Sequence, residues 1–216
     1  DPVLARLRRH VDPEAILFEA FDADDDSIRD RWIEHGHAFD GLAVGREGTL
    51  RSDLLDQRLQ GTARSRDFVL SRRFVHALVR GHQSGFRLVV EGMRMDEYNA
   101  LLFEGYIRKI GPEEQAPWTH VVIDTHHHPG REGHLELIDD GSGFLDVDAI
   151  WFSDRPDAFP PSMLESSELQ EPDLQDRRSL ARAIGELANT TAPNRPAAAV
   201  LKDALIEEGL FGNTLV

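Results

Sequence analysis

The chain has no cysteine in 216 residues. That removes disulfides, thiolate nucleophiles and cysteine-based zinc sites from the chemistry open to it. Any metal must be held by imidazole, carboxylate or carbonyl groups. Lysine is almost missing as well: only Lys109 and Lys202 occur, so the cations are nearly all arginine. Positive charge is in deficit, with 24 Lys and Arg against 39 Asp and Glu and a net charge of −15. Phosphate neutralisation dominates nucleic-acid binding, so this balance argues against such a partner. The arginine groups Arg6–Arg9, Arg64–Arg73 and Arg177–Arg182 read as solvated faces. No apolar run is long enough to span a bilayer, and the charged start lacks the apolar core of a signal peptide. The first residue is Asp1 rather than Met, which reads as a piece of something longer. Also missing are a strand–glycine loop–helix fingerprint, a Gly-x-Ser-x-Gly elbow and a His-x-x-x-His motif.

What is present is a series of short apolar runs separated by glycine-rich turns. Ile16–Phe21, Asp67–Leu70, Phe74–Arg80, Phe86–Glu91 and Trp118–Asp124 read as strands. Gly81–Gly85 reads as the turn between two of them. His134–Asp139 and Phe144–Phe152 flank the turn residues Asp139–Gly143 and predict a β-hairpin. Ile28–Glu34 fits either a helix or a strand, and Met95–Ile110 is equally ambiguous. Strands at this spacing predict a mainly β fold, an antiparallel jelly-roll-like β-sandwich, over residues 14–155. An N-terminal helical segment is expected over 1–13, where Val3, Leu4, Leu7 and Val11 form a stripe. A Pro-rich acidic linker is expected over 156–172, and a C-terminal helical segment over 173–216.

Three constellations carry candidate chemistry. Trp32, Tyr98, Trp118 and Trp151 offer aromatic faces on which a sugar ring could stack, with Arg80, His82, Glu91 or Arg94 as hydrogen-bonding partners. The competing reading is core packing, the usual role of Trp in a strand. The second is acidic. Glu19 and Asp22 near the first strand, with Asp148 on the last, could supply oxygens to a structural calcium ion if those strands are neighbours. Solvated turns account for the same residues. The third is the histidine cluster His120, His126, His127, His128 and His134. Period 2 places His134 and Glu136 on one sheet face. With His126 or His128 they would form an alternative, transition-metal ligand set; a polar, His-rich loop is the simpler account. His35-Gly-His37 reads as a turn.

Two segments resemble a known family. Gly61-Thr-Ala-Arg-Ser-Arg-Asp-Phe-Val-Leu70 with Phe74–Gly81, and Gly133–Asp154 with its Asp-Asp-Gly and Val-Asp-x-Ile-x-Phe-Ser-Asp, are similar to sugar-linked β-sandwich modules. Such modules accompany levanase-type glycoside hydrolases and occur inside planctomycete-type cytochrome-c-like multidomain proteins. The resemblance covers residues 16–154. It implies a jelly-roll-like sandwich, carbohydrate as a partner, neighbouring domains of a parent chain, and a periplasmic or extracellular setting. The sequence departs from the pattern at Ala63, where leucine is usual, and in the run His126–His128. It lacks the Cys-x-x-Cys-His haem signature, so no haem attaches to this piece.

The expectation is a non-catalytic carbohydrate-binding-like or structural sandwich module. The alternatives are a His/carboxylate metal-dependent hydrolase, whose nucleophile would be metal-bound water, and a protein-interaction domain using the C-terminal helices.

Overall fold

The computed structural model describes residues 12–21, 27–42, 44–45, 48–92, 105–111 and 118–159. The expected C-terminal helical segment over 173–216, all but residues 12 and 13 of the expected N-terminal one over 1–13, and residues 160–172 of the 156–172 linker lie outside these residues. The described strands are β1 (Ile16–Ala20), β2 (Trp32–Gly36), β3 (Leu50–Arg51), β4 (Gly61–Ser65), β5 (Phe68–Val69), β6 (Phe74–Val90), β7 (Ile107–Ile110), β8 (Thr119–Asp124) and β9 (Glu132–Ser153). One four-residue helix, α1 (Ile28–Arg31), precedes β2. The ambiguous Ile28–Glu34 segment is therefore helix and then strand.

β6 and β9 organise everything else. They pair antiparallel along their whole lengths, from Phe74↔Ser153 to Val90↔Gly133. The other edge of β9 takes β5 and β4 along its first half, then β3 and β1 along its second. The other edge of β6 takes β8 along its first half and β7 along its second. β2 extends the sheet beyond β4. Both long strands bend at one level, so their halves belong to two layers. Strands that pass from one sheet to the other through bulges are the standard way to make a sandwich corner.

The predicted hairpin is thus corrected. Asp139–Gly143 does not reverse the chain, nor does Gly81–Gly85. At the bend the register passes from His82↔Phe144 to Ser84↔Asp139, so four residues of β9 loop out opposite Gln83 alone. Two glycines that read as turn signals serve close backbone approach instead. A Cβ on Gly143 would lie 1.7 Å from the His82 carbonyl oxygen, and one on Gly81 would lie 2.5 Å from that of Phe144. A buried latch holds the bulge. Ser52 Oγ donates to Asp139 Oδ2 (2.5 Å), and the Gly141 amide donates to Asp139 Oδ1 (2.8 Å).

Hydrophobic patterning explains which halves are covered. Phe86, Leu88 and Val90 alternate with the partly exposed Arg87 and Val89, as do Leu135 and Leu137 with His134 and Glu136. One face of this layer looks inward and the other meets solvent. Phe74–Val79 and Leu145–Phe152 are largely buried on both faces. Their inner side chains, including Val75, Ala77, Val79, Leu145 and Val147, join Phe86, Leu88, Leu135 and Leu137 in one core. Their outer side chains, Leu78, Ala149 and Trp151, pack under Phe159 in a second cluster. Trp151 Nε1 donates to the Ala158 carbonyl (2.7 Å), and the Asp12 amide donates to the Phe159 carbonyl (3.0 Å), which tie down the covering segments. Truncating a fully buried leucine such as Leu135 in such a core costs about 2–5 kcal/mol.

Candidate functional site

Arg80 and Asp146 are register partners at the outer face of the second layer. Asp146 is fully buried and accepts from Arg80 through Nε (2.8 Å) and a terminal nitrogen (2.7 Å). Arg51, on the neighbouring β3, lies 3.8 Å from the same oxygen. Burial raises the Asp146 carboxyl above the usual carboxylate range, against the opposing pull of Thr49, Arg80 and Arg51. The fixed Arg80 guanidinium lies over the indole of Trp118, 4.7 Å from its ring centre. A cation on an indole face is the favoured geometry of a cation–π contact. Two of the sequence-predicted ligand residues, Arg80 and Trp118, are therefore brought together, with Asp146 as their anchor.

The other predicted ligand residues lie elsewhere. Trp32 is buried and donates its indole N–H to Glu19 (2.8 Å), so its ring is core rather than stacking surface. His82 sits half-buried at the sandwich corner, its Nδ1 without a hydrogen-bond partner. Glu91 is exposed just beyond the far end of β6. Arg94 and Tyr98 lie outside the described residues, and Trp151 is core.

A groove of about 410 Å³ runs along the open edge where β7 and β8 follow one another, lined by Arg108–Gly111 and Thr119–Val122. Thr119 follows Trp118 in the chain and pairs with Val79, the neighbour of Arg80. The groove lining therefore starts one residue along the chain from Trp118. Arg108 donates to the Val122 carbonyl (2.7 Å), linking β7 to β8 across this edge. Lys109 is exposed beside it. The sequence reading missed both cations, because Met95–Ile110 carries no clean periodicity that would assign them a face.

Among the described residues the predicted metal ligands are not brought together. Glu19 is buried, and its two oxygens accept from Arg31 (2.9 Å to each) and from Trp32. β1 and β9 do pair, as expected for first and last strands, but Asp148 sits at a bulge there and is only half-buried. Asp22 lies outside the described residues. Of the alternative set, His126 is exposed and its Nδ1 is 3.0 Å from Asp124. Its ring lies tilted by 44° against that of His127, centroids 3.6 Å apart, while His128 meets the edge of Tyr106 at 5.8 Å. His134 and Glu136 share the open face of the first layer, as period 2 predicts, with Nε2 and Oε1 3.5 Å apart. Glu136 there accepts from Arg87, and His134 contacts Arg64 at 3.3 Å. Burial, with Arg64 adding to it, lowers the His134 pKa. Among the described residues no group of three or more His, Asp or Glu side chains is placed to hold a metal ion.

One cluster had no sequence prediction. His76 Nδ1 lies 2.9 Å from His120 Nε2, and both rings stack on Trp151 with centroids 5.1 Å away. His120 thus belongs with His76 rather than with His126–His128. Burial holds His76 down to about 3 and His120 to about 4, so both are neutral near pH 7. His76 Nε2 is buried near the Arg155 backbone without a hydrogen bond of normal geometry. The available signal was a histidine inside the otherwise apolar run Phe74–Val79.

Fold and site together define a mainly antiparallel β-sandwich module with a groove at its open edge. No protein-family model matches the chain, and no curated protein matches it. Among solved structures it is similar to a family two carbohydrate esterase from Cellvibrio japonicus: 10% identity, TM-score 0.32, covering 66% of this chain and 31% of the esterase. The chain thus spans about a third of that enzyme's length. It is also similar to the K3 cleaved adhesin domain of Lys-gingipain from Porphyromonas gingivalis, at 10% identity and TM-score 0.37, covering 63% of this chain and 97% of that domain. A third likeness is to TmCBM61 in complex with β-1,4-galactotriose, at 11% identity and TM-score 0.31, covering 63% and 94%.

Proposed function

We propose that the chain is a non-catalytic carbohydrate-binding module of a larger exported protein, holding its glycan in the groove at the β7–β8 edge. The observation that carries this is the Arg80–Trp118 stack, one residue along the chain from the groove lining at Thr119. A sugar presents hydroxyls along its rim and C–H groups on its faces. It is matched by fixed donors beside an apolar, partly exposed aromatic body. Arg80 is such a donor, because Asp146 fixes its orientation and lowers the entropy lost on binding. The resemblance of the Gly61 and Gly133 segments to sugar-linked sandwich modules points the same way. A link to planctomycete-type cytochrome-c-like proteins rests on those two segments alone.

The test is titration of the protein with a panel of soluble polysaccharides, followed calorimetrically. At least one is expected to bind in the micromolar to millimolar range, with Trp118→Ala and Arg80→Ala each weakening it by about tenfold. A panel without any binder, or a bound glycan indifferent to both substitutions, would remove the reading.

A further inference from the structure

We infer that the sugar held in this groove is acidic, its carboxylate meeting Arg108 and Lys109. This rests on the glycan reading and adds the chemical class of the ligand. The starting point is how the fold treats its cations. Arg31, Arg51, Arg58, Arg64, Arg72, Arg73, Arg80, Arg87 and Arg155 each lie within ion-pair distance of a carboxylate. With a net charge of −15 there is no shortage of acids to go round. Arg108 is different. Its one described bond is to the Val122 backbone carbonyl, which leaves the rest of its guanidinium uncommitted. Lys109, next to it, is exposed and enters no hydrogen bond or ion pair among the described residues. Arg29, Arg66 and Arg131 also lack a carboxylate partner, but they are exposed and line no part of the groove.

Two cations that meet no acid among the described residues therefore share one groove, and no carboxylate is among the described residues that line it. The guanidinium fork fits a carboxylate with two parallel hydrogen bonds, and an ammonium adds a point charge. Thr119 lines the groove from β8 and pairs with Val79, the neighbour of Arg80. A hexuronic acid within a polysaccharide supplies the matching parts: one carboxylate, ring hydroxyls and an apolar ring edge. A neutral sugar would leave both charges unanswered.

The experiment titrates the whole chain with a short oligogalacturonate and with its fully methyl-esterified counterpart at low and moderate salt. The acid is expected to bind about tenfold tighter than the ester at low salt, and to lose most of that advantage as screening increases. Lys109→Gln is a mild variant, since that side chain is exposed; it should weaken the acid about fivefold and leave the ester unchanged. Arg108→Ala removes a link between β7 and β8, so it is read alongside Arg108→Lys, which keeps the charge and loses the fork. Equal affinity for acid and ester, or indifference to Lys109→Gln, would overturn the acidic assignment while leaving the glycan reading intact. Binding of neither, together with an empty neutral panel, would overturn both. Sulfated dextran serves as the anion control: binding tighter than the oligouronide would show that charge alone is read, against a carboxylate-specific site.

Discussion

At the scale of single residues, the most consequential groups are polar ones inside the sandwich. His76 and His120 are neutral in the folded protein at pH values where free imidazole is half charged. Their folded pKa values, about 3 and about 4, lie below the ordinary imidazole value of 6.5. Between those limits the unfolded chain binds more protons than the native one, so stability rises with pH through this window and is level above it. At pH 5 each histidine is expected to cost about 2 kcal/mol relative to pH 7. The nearby Asp12 and Asp157 carboxylates offset part of this. Asp139 and Asp146, whose carboxyls are raised by burial, bind protons preferentially in the folded state and contribute the opposite slope at the acid end. Urea unfolding at half-unit pH steps from 4 to 8 checks this. His76→Gln should flatten the slope between pH 4.5 and 6.5, and an unchanged slope would reassign it. The sequence could display a histidine in an apolar run but not its partner, because Val122 and Trp151, opposite His76 on the two adjacent strands, are set by register alone.

At the scale of elements, the patterning of β6 and β9 was largely legible. Alternation in Phe86–Val90 and its absence in Phe74–Val79 mark the halves that are covered on one face and on both. The sandwich class follows from these runs. What misled was the meaning of glycine. A reversing turn and a tight backbone crossing both demand a residue without a Cβ, and Asp-Asp-Gly-Ser-Gly satisfies either. Long-range pairing decided between them, since a full-length partner strand was available on β6. Gly143→Ala tests this use. Its Cβ would meet the His82 carbonyl oxygen, and the expected loss is about 3 kcal/mol or more by chemical denaturation. Gly130→Ala, at φ +73 in open space, should cost only about 1 kcal/mol. Similar losses at the two positions would count against the close approach. The site was legible only where a strand carried it. Arg80 and Trp118 stood on recognised strands, whereas Arg108 and Lys109 stood in a segment whose period could not be read.

At the scale of the whole molecule, two strands supply the centre of both layers. Neither layer has a full set of its own, so one cannot unfold and leave the other standing. Trp32 lies in the first layer through its pairing with Ser65, and Trp151 lies in the second through its pairing with His76. In a variant that keeps only Trp32 or only Trp151 of the three tryptophans, the urea midpoint by fluorescence should match that by far-UV circular dichroism. Midpoints separated by more than about 0.5 M would mean that the layers part company.

The same sharing bears on how this domain could be spliced to others. Asp140–Gly143 has the look of a surface tip, the kind of place where an added segment or a protease cut is harmless. Here it is the crease through which both halves of the molecule are threaded, so a graft at that point would break two sheets at once. The largely exposed turn at 126–129, which lies between β8 and β9 without crossing the bend, is the tolerant address.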